Sequence, residues 1–325
     1  MKYIQLPSAD SVRRLSFYLA MEEYVARHID VGDCFFMWQV EPSVIFGRNQ
    51  LIEAEVNLDF CQKHHIQIYR RKSGGGCVYA DMSNIMFSYI TSEENVNFTF
   101  NRYIMMVVHM LQRLGIDARA SGRNDVMVGD RKVSGNAFYH LPGRSIVHGT
   151  MLYDTDMINM VGSITPTDAK LLSKGVQSVR QRICLLKDYI SLTIDEFRKY
   201  AHDTLCDGDI MLSATDVQAI EELEQEYLSL DFIYGNNPRY TIVRNRRIEG
   251  VGDLEARIEL KNGIIRSVNL VGDYFLISDL DSQLLDKLKG VPLERGALRH
   301  ILPDRIDDVI MNLYKEDFID LLTQS

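Results

Sequence analysis

A run of three glycines beside cationic side chains is the first segment of this sequence whose residue types could do chemistry. The segment from Arg70 to Asp81 reads RRKSGGGCVYAD. Glycine lacks a Cβ, so this backbone can approach another group closely, and its N–H groups can converge on an anion. The planar guanidinium groups of Arg70 and Arg71 suit phosphate or carboxylate oxygens. The segment therefore predicts a pocket for a nucleotide phosphate or an acyl adenylate, with a tight structural turn and solvated arginines as the alternative.

A second group of polar residues lies on a predicted hairpin. Residues 121–139 read SGRNDVMVGDRKVSGNAFY, in which the dipeptide Gly-Asp at 129–130 is a plausible two-residue turn. The hairpin would hold several polar side chains on a rigid support, namely those of Asn124, Asp125, Lys132 and Ser134. A lysine so close to a tight turn is exposed by default, so composition alone favours a solvated Lys132 over a catalytic one.

A third candidate is the segment IVHGTMLY at 146–153, which predicts a strand carrying His148, Gly149 and Thr150. A lone histidine is more often a hydrogen-bonded structural residue than a base or a metal ligand. No second histidine or carboxylate stands at metal-ligand spacing from His148, so the sequence predicts no metal cage built by the protein alone.

The periodicity before the glycine segment predicts one helix and two strands. Residues 8–29 are predicted to be helical and capped by Asp10 or Ser11. The glutamates Glu22 and Glu23 are predicted to be in solvent, with one of them facing a site as the alternative. The two apolar runs at 34–40 and 43–46 are predicted to form a hairpin of buried strands.

Three further helices are predicted after the glycine segment. Apolar residues recur at helical spacing from Phe100 to Leu114, and Gly115 stands at the expected C-terminal cap. Two capping boxes, Thr193 with Glu196 and Thr215 with Gln218, predict the starts of the other two helices. The glutamates of the last helix are predicted to form a solvated face.

The pattern changes after residue 234. The tetrapeptide GNNP at 235–238 indicates a break, and two alternating stretches at 256–260 and 264–270 are joined near the hairpin signal Asn262-Gly263. Two or three helices are predicted to follow, one with Leu280, Leu284 and Leu288 and another over residues 306–313. We therefore predict two domains, residues 1–234 and residues 235–325, of which the second is a small α+β unit.

Composition excludes several classes of protein. The 325 residues carry a net charge of −9, which disfavours a general nucleic-acid binder. The 5 cysteines are scattered and form no CxxC pair, so neither a zinc site nor a disulfide framework is indicated. The sequence has neither a signal-peptide pattern nor an apolar run of about 18 residues, the length that a membrane span needs. We expect a cytoplasmic protein.

Five segments taken together resemble the lipoate–protein ligase family, in the type that carries an accessory C-terminal domain. They follow the family's order at similar separations, and they are RRxSGGGxVYxD with a later asparagine (Arg70–Asp81, Asn84), SGRND (Ser121–Asp125), GDRKVSG with a later alanine (Gly129–Gly135, Ala137), HGT (His148–Thr150) and SVR (Ser178–Arg180). Each segment is weak alone, but five in register are specific, and they favour Lys132 as the catalytic residue.

The resemblance implies a fold and a reaction. The fold would be α+β, of the biotin/lipoate ligase kind related to class II aminoacyl-tRNA synthetases, with mixed sheets flanked by helices. Lipoate and Mg-ATP would form lipoyl-AMP and pyrophosphate, and the lipoyl group would then pass to a lysine. The acceptors would be apo lipoyl domains of 2-oxoacid dehydrogenase complexes or the glycine-cleavage H protein. We expect a monomer with no nucleic-acid or membrane partner.

The resemblance also implies the residues of the site. Lys132 would contact both the lipoate carboxylate and the α-phosphate of ATP. ATP and lipoyl-AMP would be bound by Arg71, Gly76, Cys77, Val78, Tyr79, Asn124, Asp125 and Lys132, with Asp125 as the magnesium contact. Lipoate would be bound by Arg70, Ser73, Gly74, Gly75, Lys132, Ser134, Gly135, His148, Gly149 and Thr150.

Three other functions stay open from the sequence. An octanoyl- or lipoyl-transferase of the same fold would act without ATP through a cysteine, and Cys77, where many relatives have a small apolar residue, is the candidate. A biotin ligase is disfavoured because its glycine loop is typically GRGR-like. A non-catalytic acyl-binding protein is disfavoured because Lys132 and the Asn124-Asp125 pair are present.

Overall fold

The computed structural model describes residues 1–7, 12–50, 52–93, 95–122, 124–164, 181–234, 242–261 and 263–323. The chain divides into two units. The N-terminal unit comprises Met1–Phe46, Glu53–Arg71 and Cys77–Ile233, and the C-terminal unit comprises Gly47–Ile52, Lys72–Gly76 and Tyr234–Ser325. Two short segments, one of which contains the glycine run, therefore belong to the C-terminal unit although most of that unit follows residue 233. The predicted domain boundary after residue 234 stays a prediction.

Two sheets form the framework of the N-terminal unit. In chain order its strands are β1 (Lys2–Gln5), β2 (Cys34–Trp38), β3 (Ser43–Phe46), β4 (Gln67–Arg70), β5 (Val78–Ala80), β6 (Ile85–Thr91), β7 (Ala118–Ala120), β8 (Asp125–Val128), β9 (Arg131–Leu141), β10 (Arg144–Met151) and β11 (Gly208–Met211). Of the described strands, eight form one sheet in the order β11-β1-β2-β6-β10-β9-β8-β7, and three form another in the order β4-β3-β5. Strand β1 runs parallel to β2 and β11, while the other pairs of the large sheet are antiparallel, so the sheet is mixed.

The predicted hairpin of β2 and β3 is wrong. Strand β2 pairs with β1 and β6 in the large sheet, whereas β3 lies between β4 and β5 in the small one. Both strands are buried on both faces, as their burial patterns show. A continuous apolar run carries no alternation that would identify its neighbour, so the sequence could not say which strands pair.

Helices flank these sheets. Among the described residues up to 234, the α-helices are α1 (Leu15–His28), α2 (Ile52–Glu55), α3 (Leu58–Lys63), α4 (Val96–Gln112), α5 (Met157–Ser163), α6 (Ile194–Leu205), α7 (Ala214–Leu228) and α8 (Leu230–Tyr234). The α+β class with helix-flanked mixed sheets is therefore confirmed. None of the helices in the described ranges is long and apolar enough to cross a membrane.

The helix starts test the capping predictions. The box of Thr193 with Glu196 is confirmed at α6. At α7 the prediction is wrong by two residues, because Ser213 is the cap and forms the box with Asp216. Two overlapping pairs fit the same sequence pattern there, and the pattern alone cannot choose between them. The helix predicted from residue 8 begins at Leu15, and its predicted caps Asp10 and Ser11 lie outside the described residues.

Helix α1 is buried almost all round. Its residues from Leu15 to Ala26 are all buried, in a core that includes Trp38 of β2 and Tyr227 of α7. A helix covered on one side by a sheet and on another by a second helix has little solvated surface. Its polar residues must therefore find partners inside the protein.

The C-terminal unit is a small α+β structure around one core. It contains β12 (Ile242–Ile248), β13 (Gly252–Lys261), β14 (Ile264–Gly272), α9 (Arg295–Ile301) and α10 (Lys315–Thr323). The predicted hairpin is confirmed as β13 and β14. The helix predicted around residues 306–313 is wrong, because only a single 3₁₀ turn forms at Ile306–Asp308. The tetrapeptide at 235–238 and Asn262 lie outside the described residues.

Candidate active site

Strands β8 and β9 form the hairpin that carries Lys132. Val128 pairs with Arg131, so Gly129 and Asp130 form the two-residue turn, as predicted. Gly129 has a φ of +58°, a value that two-residue hairpin turns require and that glycine adopts without strain.

A β-bulge follows the turn and sets which residue lies opposite Asp125. Met127 pairs with Lys132 but Val126 pairs with Ser134, so Val133 is an extra residue in β9. Bulges bend a strand and re-aim its side chains. Beyond this bulge, Asp125 lies opposite Gly135. Without the extra residue it would face the side chain of Ser134.

The amine of Lys132 lies over Gly135 and beside Asp125. Its Nζ is 2.8 Å from Oδ1 of Asp125, and the two side chains are 35% and 26% exposed. A Cβ added to Gly135 would lie 2.5 Å from both Nζ and Cε of Lys132, so a larger residue there would displace the amine from this position. The structure thus brings three predicted site residues together at a place that solvent reaches.

A row of residues crosses the large sheet from this place. Trp38 lies opposite Met86, Met86 opposite Thr150, Thr150 opposite Gly135, and Gly135 opposite Asp125. Residues directly opposite one another in neighbouring strands present their side chains on one face. Two of the predicted lipoate-binding residues, Gly135 and Thr150, therefore share a face with Trp38, about 14 Å away for Gly135 at the usual strand spacing.

His148 lies on the same face and is paired with a residue that the sequence analysis assigned to solvent. Its Nδ1 is 2.8 Å from Oε2 of Glu22, and the hydroxyl of Ser88 donates to Oε1 of Glu22 at 2.6 Å. The indole N–H of Trp38 donates in turn to the Ser88 oxygen at 2.9 Å. The prediction that Glu22 and Glu23 are solvated is wrong, since they are 0% and 4% exposed.

Both glutamates are buried because α1 is covered by the sheet on one side and by α7 on another. Glu22 faces the sheet, while Glu23 pairs with Arg27 at 2.7 Å. The prediction of a fully solvated glutamate face on α7 is wrong in the same way. Glu224 is 3% exposed and accepts a hydrogen bond from the hydroxyl of Ser16 at 2.5 Å. Neither burial has a signal in the sequence, because a glutamate in a helix usually marks the solvated side.

Asn136 is a site residue that the sequence analysis missed. It is 3% exposed and exchanges hydrogen bonds with Asn124, and the Ser134 hydroxyl donates to its Oδ1 at 3.3 Å. A Cβ on Gly149 would lie 1.9 Å from that same Oδ1. Nearby, Oγ1 of Thr150 accepts from the Gly135 N–H at 3.4 Å.

The two adjacent arginines of the glycine segment have different surroundings. Arg71 is 5% exposed, and its Nη1 donates to the Ile45 carbonyl at 3.1 Å. Burial lowers the pKa of Arg71 to about 10, so the guanidinium keeps its charge at neutral pH. Nε of Arg70 donates to the Ile233 carbonyl at 2.9 Å, and its guanidinium lies 4.4 Å from the centre of the Phe46 ring.

The residues that follow the glycines lead into β5 and form its start. Cys77 and Val78 are half-buried, and Tyr79 is buried. Burial raises the pKa of the Cys77 thiol well above its ordinary value, and Glu55 adds to the shift. The thiol is therefore protonated at neutral pH, which is unlike the lowered pKa of a nucleophilic cysteine.

The glycine run itself is held inside the C-terminal unit. The Gly75 N–H donates to the Tyr274 carbonyl at 3.1 Å, and the Arg48 N–H donates to the Ser73 carbonyl at 2.9 Å. A Cβ on Gly74 would lie 2.2 Å from the Tyr274 oxygen, so this position requires glycine. The predicted ligand-binding residues 73–76 thus belong to a different unit from Lys132.

The donor set suits magnesium better than a metal held by protein alone. Within the described ranges, no group of three or more His, Cys, Asp or Glu side chains could hold a metal ion. Magnesium commonly uses one or two protein carboxylates and takes its other ligands from substrate phosphates and water. The single half-buried carboxylate of Asp125 fits that mode.

Two parts of the resemblance, the residue Arg123 and the segment Ser178–Arg180, lie outside the described residues.

Comparison with known proteins adds evidence from the whole chain. A family model described as the lipoyl protein ligase A/B catalytic domain matches residues 15–205, and one described as the bacterial lipoate protein ligase C-terminus matches residues 237–322. The chain is 32% identical over 317 residues to the lipoate-protein ligase LplJ of Bacillus subtilis (strain 168), a match that covers 94% of this chain and 95% of that protein.

Solved structures have the same fold. A bi-partite lipoate protein ligase of Thermoplasma acidophilum, studied with its E2 lipoyl domain, is 26% identical with a TM-score of 0.65 and covers 74% of this chain and 98% of its own. The LipL1 protein of P. falciparum in complex with lipoate is 21% identical with a TM-score of 0.74, and the match covers 100% of this chain and 99% of that one. A lipoate-protein ligase A bound with ATP is 24% identical with a TM-score of 0.59, and the match covers 72% of this chain and 98% of that one.

The last two likenesses concern the fold alone, because their identities are low. The assignment to a family is based on the sequence matches, which cover residues 15–205 and 237–322. Since a catalytic-domain model matches more than half of its length and a 32% identical relative spans nearly all of it, this chain belongs to the lipoate–protein ligase family.

Proposed function

We propose that this chain activates lipoate with ATP, forming lipoyl-AMP and pyrophosphate, and then transfers the lipoyl group to a lysine of an acceptor protein. The observation that carries the proposal is the position of the Lys132 amine, which lies over Gly135 and 2.8 Å from Asp125 at a solvent-accessible place. An ammonium group that is fixed and yet reachable is what the first half-reaction needs.

In the first half-reaction two anions must meet. A carboxylate oxygen of lipoate forms a bond to the α-phosphorus of ATP, and the bond to the pyrophosphate oxygen breaks with its electron pair. Charge accumulates on the phosphoryl oxygens, so fixed cations are the main catalytic requirement. Lys132 would bind the lipoate carboxylate and the α-phosphate together and reduce their repulsion.

This role requires Lys132 to exchange Asp125 for the substrates. A partly exposed ion pair contributes only about 0.2–1 kcal/mol, so the exchange costs little. Asp125, once released, would hold Mg²⁺ together with Asn124, and the ion would neutralise charge on the phosphates of ATP. Arg71 and the backbone of residues 76–79 would hold the nucleotide. The positive charge that buried Arg71 keeps at neutral pH supports this role.

The apolar end of lipoate requires an apolar slot. The row that begins at Gly135 has small side chains near Lys132 and ends at Trp38, which also borders a cavity of about 370 Å³ with Tyr18, Met21 and Met82 in its wall. Methionine and aromatic side chains suit a sulfur-containing ring. This arrangement supports lipoate binding along the row, with His148 on the same face.

In the second half-reaction the neutral amine of an acceptor lysine attacks the acyl carbon of lipoyl-AMP. The bond from that carbon to the phosphate oxygen breaks, and AMP leaves with the electron pair. A mixed anhydride is already activated, so no nucleophilic side chain is required. We expect Cys77→Ser to form lipoyl-AMP at the wild-type rate, because the Cys77 thiol is protonated. An ATP-independent transfer that this variant abolishes would instead favour an acyltransferase.

The acceptors would be apo lipoyl domains of 2-oxoacid dehydrogenase complexes or the glycine-cleavage H protein, and the protein would work as a cytoplasmic monomer. The archaeal relative studied with an E2 lipoyl domain supports this class of acceptor. We also propose that residues 1–234 act as the catalytic domain and residues 235–325 as the accessory domain.

The test is one incubation of the protein with ATP, Mg²⁺, lipoate and an apo lipoyl domain, in which the intact mass of the acceptor is measured. The expected result is a gain of one lipoyl group that depends on ATP. Pyrophosphate release is measured in parallel without the acceptor. Absence of lipoate-dependent pyrophosphate at every Mg²⁺ concentration would support a non-catalytic acyl-binding protein and overturn the proposal.

A further inference from the structure

We infer that Asn136 is a positioning residue that holds the Asn124-Asp125 segment in place for the metal and phosphate groups of ATP. The inference rests on the proposed function and extends it to a residue that would act through Asn124 and Asp125. It also explains why residue 149 is a glycine.

Asn136 and Asn124 are joined by three hydrogen bonds. Both the backbone N–H and the side-chain Nδ2 of Asn136 donate to the Asn124 carbonyl, at 3.0 Å and 2.9 Å. In return, Nδ2 of Asn124 donates to the Asn136 carbonyl at 3.0 Å. The peptide group that precedes Asp125 is therefore held from two directions.

The chemistry of these bonds fixes the orientation of both side-chain amides. A backbone carbonyl can only accept, so each amide must turn its NH₂ group toward the other residue. The oxygen of Asn124 is thus the end of that side chain that remains for a ligand. The oxygen of Asn136 is turned toward Gly149 of β10, and the hydroxyl of Ser134, on β9 itself, donates to it at 3.3 Å.

That oxygen occupies the space above Gly149. Residue 149 lies directly opposite Asn136 across β10 and β9. A Cβ there would be 1.9 Å from Oδ1 and 2.8 Å from Cγ of Asn136, and 3.1 Å from the Gly135 carbonyl oxygen. The glycine of the HGT segment is therefore required by a neighbouring side chain. Its predicted role as a lipoate contact is not needed to explain it.

The position of the Asp125 carboxylate depends on the hydrogen bonds between Asn136 and Asn124. Asp125 has its own backbone anchor, since its N–H donates to the Ser121 hydroxyl oxygen at 3.1 Å and its carbonyl accepts from the Ser121 N–H at 2.9 Å. With Asn136 on one side and Ser121 on the other, the carboxylate has a defined position 2.8 Å from Lys132.

The first test is Asn136→Asp, which keeps the shape but replaces the donor by a carboxylate oxygen facing the Asn124 carbonyl. Partners that orient metal ligands typically contribute about 10–100-fold to metal affinity or activity. We expect the Mg²⁺ concentration for half-maximal pyrophosphate release to rise by about that factor. Transfer from supplied lipoyl-AMP, which needs no metal, should keep its wild-type rate.

Two results would overturn the inference. One is an unchanged Mg²⁺ dependence. The other is an equal loss in both half-reactions, which indicates a general structural defect. Inactive wild-type protein would instead refute the proposed function, so the two failures are distinguishable.

The second test is a double-mutant cycle between positions 149 and 136. Gly149→Ala alone should strongly reduce stability and pyrophosphate release, because its methyl group meets Asn136. In the background of Asn136→Ala, which removes Cγ and Oδ1, the same change should cost much less, because the Gly135 carbonyl oxygen at 3.1 Å is then the tightest contact of those three. Gly296→Ala is the matched control, since a Cβ there has nothing within 4 Å. Equal losses from Gly149→Ala in both backgrounds would show that Asn136 is not the obstacle.

Discussion

Two pairs on the same face of the large sheet join a nitrogen to a carboxylate at 2.8 Å, and they differ in their access to water. The side chains of Lys132 and Asp125 are 35% and 26% exposed, whereas those of His148 and Glu22 are 7% and 0% exposed. Coulomb attraction in water is weak, so an exposed pair contributes little and can be exchanged. A buried pair has no water to replace a lost partner.

The difference separates a reactive part of the site from a structural part. Lys132 can leave Asp125 when a substrate anion arrives, and the proposed activation of lipoate depends on that exchange. If Glu22 left His148, buried polar groups would lose their hydrogen-bond partner, because Ser88 donates to Glu22 and Trp38 donates to Ser88. We therefore expect substitutions in the first pair to change chemistry and substitutions in the second to change stability.

The largest effect is expected at the buried pair. Glu22→Ala removes the partner of His148 and Ser88, so the free energy of unfolding should fall by about 3–5 kcal/mol. Chemical denaturation measures it. Glu221→Ala is the control, since Glu221 forms an exposed pair with Arg13 at 2.8 Å and should cost at most about 1 kcal/mol. Equal losses in the two variants would remove the distinction.

The next effect is catalytic. Lys132→Met should lower the rate of lipoate-dependent pyrophosphate release by about 10²–10³-fold, as for other groups that stabilise transition-state charge, with little change in melting temperature. Lys199→Met is matched to it, because Lys199 pairs with Asp203 at 2.6 Å on the surface of α6. Wild-type turnover in Lys132→Met would contradict the assigned role.

A smaller effect is expected where the glycine run meets backbone. The methyl group of Gly74→Ala would lie 2.2 Å from the Tyr274 carbonyl oxygen, and forced overpacking typically costs about 1–3 kcal/mol. Gly296→Ala in α9 has open space and should be neutral or slightly stabilising. Thermal unfolding of both variants tests the contrast, which fails if Gly74→Ala is as stable as the control.

The smallest effect concerns a half-buried histidine near the surface. His202 lies 3.0 Å from Asp203 and 2.8 Å from Asp209, and the bond to Asp203 is the main cause of its raised pKa. Since its pKa is higher in the folded protein, its stabilisation is full below the unfolded value of about 6.5 and is lost as pH rises through the folded value. His202→Gln should therefore cost up to about 1 kcal/mol in acid and nothing in alkaline solution. Denaturation curves of the variant and the wild type, in acid and in alkaline solution, measure this cost. A difference in unfolding free energy that does not change with pH would refute the prediction.

Local patterns in the sequence predicted local structure well. The turn at Gly129-Asp130 and the C-terminal cap at Gly115 are confirmed, since Gly115 has a φ of +80° after α4. Both depend on residues adjacent in the chain. Pairings between distant segments were not predictable, as the separation of β2 from β3 shows. Burial of Glu22 depends on what packs against α1 from elsewhere in the chain, and no periodicity within the helix encodes it.

The sequence by itself determined the family, the candidate lysine and the hairpin that carries it, because these depend on residue identities and on short-range turn geometry. The tertiary structure decided what surrounds them. A regular hairpin with this turn would set Asp125 opposite Ser134, whereas the bulge at Val133 sets it opposite Gly135. That shift of one residue makes room for the Lys132 amine and places Asn136 beside Asn124. Strand register is selected by packing of the whole sheet, which the order of residues along one strand does not reveal.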